Sequence, residues 1–150
     1  MAKLELKDIP QVTGTNYPAP FDQPVKARVR QRLGDAGGLT HFGVNRIQLP
    51  PGCWSSQRHW HAKEDEFVYV LAGEVVLVTD EGEEVLRAGD CGAFPANSGN
   101  GHHLINRGAV TAVYLEVGSR SRDEHVKYPD IDLVWDAQAN AYLHADGKPY

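Results

Sequence analysis

The sequence lacks long apolar runs, and no stretch approaches the roughly 20 apolar residues that cross a bilayer. It also lacks an excess or a cluster of basic residues, since 15 Lys and Arg stand against 20 Asp and Glu and the net charge is -5. We therefore expect neither a membrane nor a nucleic acid as a partner. The first residues show no apolar core with a small-residue cleavage site, so we expect a soluble, cytoplasmic protein.

Cysteine is scarce, and helical periodicity is nearly absent. Cys53 and Cys91 could form at most one bridge, and without an export signal two reduced thiols are the better interpretation. Short segments that alternate or are rich in β-branched and aromatic residues are instead separated by Gly and Pro turns. This pattern predicts an all-β sandwich or small barrel. The predicted strands are 25–33, 42–49, 67–71, 75–78, 102–106 and 110–117.

The 150 residues fit one domain with two less regular ends. Residues 1–38 are predicted to form an N-terminal arm and a first strand, and residues 39–118 the barrel core. Residues 119–150 are polar with scattered aromatics, and we expect them to form an irregular C-terminal arm packed on the barrel.

The segment RHWHAKEDEFVYVLAG, which runs from Arg58 to Gly73, places two histidines one residue apart. On a strand, His59 and His61 share a face, so both imidazoles point into one space. Glu66 joins them only if the polar residues 62–65 form a bend that brings the next strand back. Two histidines and a carboxylate with open positions suit a first-row divalent metal.

A second glycine-rich segment, GDCGAFPANSGNGHHLIN, follows about forty residues later and contains two further histidines. Together the two segments resemble the cupin superfamily, in particular small bacterial single-domain cupins of type 2. The first cupin motif corresponds to Gly52, His59, His61, Glu66 and Gly73, and the second to Gly89, Pro95, Gly99, His102 and Asn106. One extra residue precedes the first histidine, and two extra residues separate the proline and glycine of the second motif.

The resemblance implies a double-stranded β-helix, or jelly-roll barrel, around one divalent ion: Fe, Mn, Zn or Ni. By the resemblance, the metal ligands are His59, His61, Glu66 and His102. Strand alternation agrees with His102 if this side chain faces inward. His103 is the alternative, because the two-residue insertion could shift the register.

Three residues are predicted to contact a small-molecule substrate: Arg46, Gln48 and Asn106. In the segment 45–48, either Arg46 and Gln48 or the alternate pair, Asn45 and Ile47, face the interior. An inward Arg46 could bind a carboxylate or a phosphate, whereas an outward Arg46 would be a solvated strand residue.

The predicted function is that of a metal-dependent enzyme acting on an organic acid or a hydroxy-carbonyl compound. The reaction is either a dioxygenase-type oxidation or an isomerisation, epimerisation or lyase reaction. The alternative is a cupin that binds or senses a small ligand without catalysis. Apolar residues on the strand face away from the metal, with the two arms, predict a homodimer.

Overall fold

The computed structural model describes residues 3–150, and strands dominate it. Two 3-10 helices span Leu6–Asp8 and Gln23–Val25, and one short helix, α1, spans Leu33–Ala36. The all-β prediction is confirmed. Within residues 3–150, no helix has the length and apolar character that a bilayer crossing needs. The strands are β1 (Val12–Thr13), β2 (Val29–Arg32), β3 (Phe42–Leu49), β4 (Trp60–His61), β5 (Glu66–Ala72), β6 (Glu74–Thr79), β7 (Gly82–Arg87), β8 (Cys91–Phe94), β9 (His103–Ile105), β10 (Ala112–Ser119), β11 (His125–Tyr128), β12 (Leu133–Asp136) and β13 (Ala141–Leu143).

The strands form two layers. One layer is a six-stranded sheet in the order β1-β2-β3-β10-β5-β8. The other consists of a four-stranded sheet, β13-β12-β11-β4, and a three-stranded sheet, β7-β6-β9. An isolated antiparallel bridge pairs His59, just before β4, with His102, just before β9, and so joins the two smaller sheets into one surface.

The hydrophobic core fills only one half of the space between the layers. Inward residues of β3, β5 and β10 pack there against β6, β7 and β9, and Ile47, Val70 and Val75 are fully buried. The other half, beneath β4 and the C-terminal strands, holds a cavity of about 380 Å³ with mainly polar walls. The fold therefore separates a packed half from a half that can admit a ligand.

The C-terminal arm is more regular than the sequence predicts. Residues 125–143 contain β11, β12 and β13, and β11 pairs with β4 through Val126 and Lys127. Val126, Tyr128 and Leu133 are buried and form a second small core with aromatic residues of both arms. These strands complete the sheet that carries the first two predicted ligands.

The outer face of β5 is apolar and accessible. Phe67, Tyr69 and Leu71 are 39%, 40% and 44% exposed, as alternation on this strand requires when Val68 and Val70 face the core. The homodimer stays a prediction. Light scattering checks it, and a mass of about 16.5 kDa at micromolar concentration would contradict it.

Asn106, predicted to contact a substrate, holds together backbone segments. Its Nδ2 donates to the carbonyl oxygens of Leu49 and Val110 at 2.7 and 2.8 Å, and its Oδ1 accepts from the Gly108 amide at 2.9 Å. The side chain is fully buried. It does not line the cavity.

We expect Asn106→Ala to lower the free energy of unfolding by about 2–4 kcal/mol, because it leaves buried backbone groups without partners. Urea unfolding measures the loss. Asn16→Ala is the control, since this exposed side chain should change stability by less than about 0.5 kcal/mol. Equal stabilities of the two variants would show that the three hydrogen bonds contribute little.

Candidate functional site

Three histidines are brought together by one antiparallel bridge. The backbone of His59 exchanges both hydrogen bonds with that of His102, at 3.1 and 2.8 Å, so their side chains lie next to each other. His61 lies two residues beyond His59 and therefore shares its face. All three imidazoles point into the polar cavity.

Glu66 reaches the same point from the opposite layer. It is the first residue of β5, after the predicted bend at residues 62–65. The buried carboxylate of Glu124 stabilises this bend by accepting hydrogen bonds from the amides of Ala62 and Lys63. The bend lets Glu66 face the histidines although it lies five positions after His61.

The three histidine rings converge on one carboxylate oxygen of Glu66. The Glu66 Oε2 lies 3.0 Å from the Nε2 of His61, 3.2 Å from that of His102 and 3.6 Å from that of His59. The Nε2 atoms of His59 and His61 are 3.2 Å apart. The side chains are between 4% and 17% exposed, so the cluster is largely shielded from water.

Neighbouring groups orient the rings. The Nδ1 of His59 lies 2.9 Å from the carbonyl oxygen of Gln57 and 3.2 Å from the Ser56 hydroxyl. A donated hydrogen bond to this carbonyl fixes the proton on Nδ1 and leaves the Nε2 lone pair directed at the cluster. The His102 ring stacks on Phe94 with a centroid separation of 3.6 Å.

The pKa shifts of Glu66 and His102 favour metal binding, whereas that of His61 opposes it. Burial acts to raise the pKa of Glu66, but hydrogen bonds from His102 and His61 outweigh it and hold this pKa well below its usual range. Burial lowers the pKa of His102. Burial also acts to lower the pKa of His61, but the hydrogen bond and charge of Glu66 raise it overall. A lowered pKa favours the ionised carboxylate of Glu66 and the neutral ring of His102, the forms that bind a metal, whereas the raised pKa of His61 means that protons compete with a metal there.

The distances fit a divalent ion. Ligands about 2.1 Å from one ion are roughly 3.0 Å apart at 90° and roughly 3.4 Å apart at the tetrahedral angle. Most of the separations between the cluster atoms fall in or near this range. His59, His61 and Glu66 offer ligand atoms that all lie within 4.8 Å of one another. This cluster could therefore hold a divalent metal.

A second group with similar spacing shares His61. Glu64 and Glu124 also offer carboxylate oxygens within 4.8 Å of this histidine. Both carboxylates already accept backbone hydrogen bonds, Glu64 from Ser121 at 2.6 Å and Glu124 from Ala62 at 2.8 Å. Their geometry is explained without an ion, so the cluster around Glu66 is the stronger candidate.

The structure does not place Arg46 or Gln48 beside the cluster. The burial of Ile47 and Leu49 fixes the register of β3, so Asn45 is the polar residue of this strand that lines the cavity. Arg46 lies on the other face and donates to Gln31 at 3.1 Å. The alternative that the sequence left open, with Asn45 and Ile47 inward, is the one observed.

Other cavity residues escaped the sequence analysis. Arg28, Arg30 and Arg32 lie on one face of β2 and its preceding residue, and all three line the cavity. Glu116 on β10 lines it too and accepts a hydrogen bond from Asn45 at 2.8 Å. The alternation in VKARVRQRL was a signal for the arginine row.

His103, the alternative fourth ligand, points elsewhere. Its Nδ1 lies 3.0 Å from the carbonyl oxygen of Ser56, and its ring packs edge-on against Trp54. The face on which it lies is not solvated, because His103 and Ile105 are only 6% and 8% exposed. His103 is a packed interior residue on the far side of β9.

We expect His102→Ala to weaken metal binding at least about tenfold, because even supporting residues of metal sites typically contribute this much. His103→Ala should keep the metal yet lower stability by about 1–3 kcal/mol, since it removes a buried ring and its hydrogen bond. Elemental analysis and urea unfolding of the two variants measure both effects. The reverse ranking of metal contents would assign the ligand role to His103.

Comparison with known proteins bears on the family and the fold. A family model described as a cupin domain matches residues 45–118. A comparison with curated proteins finds no match.

Solved structures give closer similarity. A sugar phosphate isomerase from a cupin superfamily, from Silicibacter pomeroyi DSS-3, is 44% identical with a TM-score of 0.94, over 99% of this chain and 96% of that chain. A protein provisionally named a sugar phosphate isomerase, from Acidithiobacillus ferrooxidans ATCC 23270, is 34% identical with a TM-score of 0.74, over 80% of this chain and 76% of that chain. A polyketide cyclase from Streptomyces resistomycificus, at 20% identity and a TM-score of 0.68 over 87% of each chain, shares the fold.

The two-layer architecture is thus the predicted double-stranded β-helix. With the motif residues in place, the matched family model and a 44% identical relative along nearly the whole length, this chain belongs to the cupin superfamily.

Proposed function

We propose that this cupin is a metal-dependent isomerase that moves a carbonyl group between neighbouring carbons of a small hydroxy-carbonyl compound. The observation that carries the proposal is the convergence of three imidazole nitrogens on the Glu66 carboxylate, in a cavity that also contains a separate carboxylate, that of Glu116. The names of the two relatives at 44% and 34% identity support the same reaction class.

In this proposal His59, His61, Glu66 and His102 hold one divalent ion. Such an ion supplies Lewis-acid polarisation of a carbonyl oxygen when bound. The second group, which contains Glu64 and Glu124, serves the bend at residues 62–65 rather than the chemistry.

Glu116 is the proposed general base. The isomerisation requires that one carbon lose a proton and its neighbour gain one, while a second proton passes from the hydroxyl oxygen to the former carbonyl oxygen. A single carboxylate can move the carbon-bound proton by taking it up and returning it. Asn45 holds one oxygen of Glu116 through its amide and leaves the other oxygen available. Residue 116 also lies directly opposite Val68, two residues beyond Glu66 on the facing strand, so the base and the cluster are close neighbours.

Three tyrosines contribute to the cavity walls. Tyr114 is only 1% exposed, and Tyr17 and Tyr142 extend from the two arms over the cavity. Burial raises the pKa of Tyr17 above its usual value, so its hydroxyl remains a neutral hydrogen-bonding group at neutral pH. A bound substrate would face these fixed polar groups on this side of the cavity.

The test is anaerobic reconstitution of the metal-free protein with Fe(II), Mn(II), Ni(II) or Zn(II). Each form is offered 2-oxo acids, β-diketones, catechols, free sugars and sugar phosphates. The proposal expects an isomerised sugar or sugar phosphate with more than one ion and without oxygen. Oxygen consumption with Fe(II) alone would favour the oxidative alternative, and binding without turnover by any form would favour a ligand-binding cupin.

A further inference from the structure

Three arginines form a row on one wall of the cavity. Strand alternation directs Arg28, Arg30 and Arg32 inward, while Val29 and Gln31 face away from the cavity. The outer face is covered, since the Gln31 amide donates to the carbonyl oxygens of Leu6 and Ile9. The inward direction of the arginine row therefore follows from strand alternation and from the covered outer face of β2.

Two of these guanidinium groups have unused hydrogen-bonding capacity. Arg28 donates to the carbonyl oxygens of Ser55 and Gly14 at 2.6 and 3.1 Å, yet its Nε is buried without a partner among residues 3–150. The Nε of Arg30 is likewise buried and unpartnered within this part of the chain. Buried donors without acceptors are costly, so both atoms point to a ligand with acceptor oxygens.

The local charges are also unbalanced. Arg32 lies 3.8 Å from Asp35, which also pairs with Arg120. Within the described chain, no carboxylate lies within 4.0 Å of the guanidinium nitrogens of Arg28 or Arg30. Burial, reinforced by the charges of Arg28 and Arg32, lowers the pKa of Arg30. A bound anion would relieve this repulsion.

The arginine row faces the histidine cluster across the cavity. In the sheet order β2-β3-β10-β5, three strand spacings separate the row from Glu66, which is roughly 14 Å between backbones. Side chains extend into this gap from both sides. Arg28 also contacts Ser55, and the adjacent Ser56 hydroxyl lies 3.2 Å from the Nδ1 of His59. The gap suits a molecule of several carbon atoms that has one end at the arginine row and the other end at the histidine cluster.

We propose that Arg28, Arg30 and Arg32 form a subsite for the phosphate group of a phosphate monoester, whose other end reaches the His/Glu cluster. The inference rests on the proposed function, because it identifies the end of the substrate that the cluster does not hold. A phosphate group carries nearly two negative charges and three acceptor oxygens, which suit three arginines on one wall of the cavity. One arginine would suffice for a carboxylate, which it binds in a bidentate manner.

The experiment measures binding by isothermal titration calorimetry with ribose 5-phosphate, ribose and inorganic phosphate. We expect ribose 5-phosphate to bind wild type more tightly than ribose does. Arg30→Gln should weaken ribose 5-phosphate binding roughly 10- to 100-fold, since hydrogen bonds to charged groups are the strong ones. The variant should leave the affinity for ribose and the metal content unchanged.

Two further variants keep the test decisive. Arg32→Gln changes an exposed side chain at the cavity mouth, so it should fold normally and still lose affinity for the phosphorylated sugar. Arg87→Gln changes an exposed arginine on β7 that does not line the cavity, and it should bind like wild type. Equal affinities of wild type, Arg30→Gln and Arg32→Gln for ribose 5-phosphate would overturn the subsite.

Inorganic phosphate separates the arginine row from the metal. The Glu66→Gln variant should bind inorganic phosphate within about twofold of wild type, because distant sites act nearly independently. Loss of phosphate binding in this variant would place the anion at the metal and overturn the subsite. Arg30-dependent phosphate binding in a protein that isomerises nothing would support the subsite while overturning the proposed function.

Discussion

Glu66→Gln is expected to lower metal affinity at least about 100-fold, more than the loss of a supporting residue of a metal site, and to reduce any metal-dependent rate below about 1% of wild type. Glutamine has nearly the same shape, but it removes the negative charge on which three imidazoles converge. Three neutral imidazoles alone bind a divalent ion less well than three imidazoles and a carboxylate. Metal content after extensive dialysis, measured by elemental analysis, checks the result.

Glu64→Gln is the matched control, because Glu64 is the nearby carboxylate of the second group that shares His61. Its loss should leave the metal content unchanged and weaken the hydrogen bond that anchors Ser121. Metal loss in Glu64→Gln together with full occupancy in Glu66→Gln would move the metal to the second group. The two variants thus decide between the only two groups of this kind found in residues 3–150.

Glu116→Gln should reduce kcat by about 10²- to 10⁴-fold, the range expected when a general base is removed. Metal content should stay at the wild-type level, because Glu116 contacts Asn45 and none of the cluster atoms. Rates are measured with the compound and the metal that the reconstitution experiment identifies. A parallel measurement of KM shows whether the variant loses catalysis or substrate binding.

Glu84→Gln on β7 provides the comparison for Glu116→Gln, since this glutamate is exposed and does not line the cavity. It should behave as wild type. If Glu116→Gln retains full kcat, the proton must be moved by another group, and the role proposed for Glu116 is wrong.

The sequence predicted the histidine pair and the fold class because both depend on local pattern. Strand alternation alone places His59 and His61 on one face. The meeting of His102 with this pair depends on a bridge between distant segments, and for it the family resemblance supplied what local pattern lacks.

For the other cavity residues, the sequence did not show which face of each strand points inward. In β3 each face carries both polar and apolar residues, so alternation could not decide between Asn45 and Arg46. The choice follows from Ile47 and Leu49, which pack against strands far away in sequence. The inward arginine row was missed for a related reason: nothing local shows that residues 6–9 cover the outer face of β2 and leave the cavity to Arg30.

No local sequence pattern predicted the three strands of the C-terminal arm. Residues 119–150 contain short strands with mixed polarity, and their strand character arises from pairing with β4 and from the second small core. Tertiary contacts of this kind override weak local preference.

The pairing of β4 with β11 can form only late in the synthesis of the chain. Synthesis runs from the N terminus, so His59, His61, Glu66 and His102 all emerge before Val126, the residue that pairs with His61. Until then the two-residue strand β4 lacks its partner β11. Unpaired strand edges in newly made chains can pair with other chains and cause aggregation. We expect His61 to be held firmly in place only after Val126 has left the ribosome and paired with it, so that the cluster takes its final geometry late in synthesis.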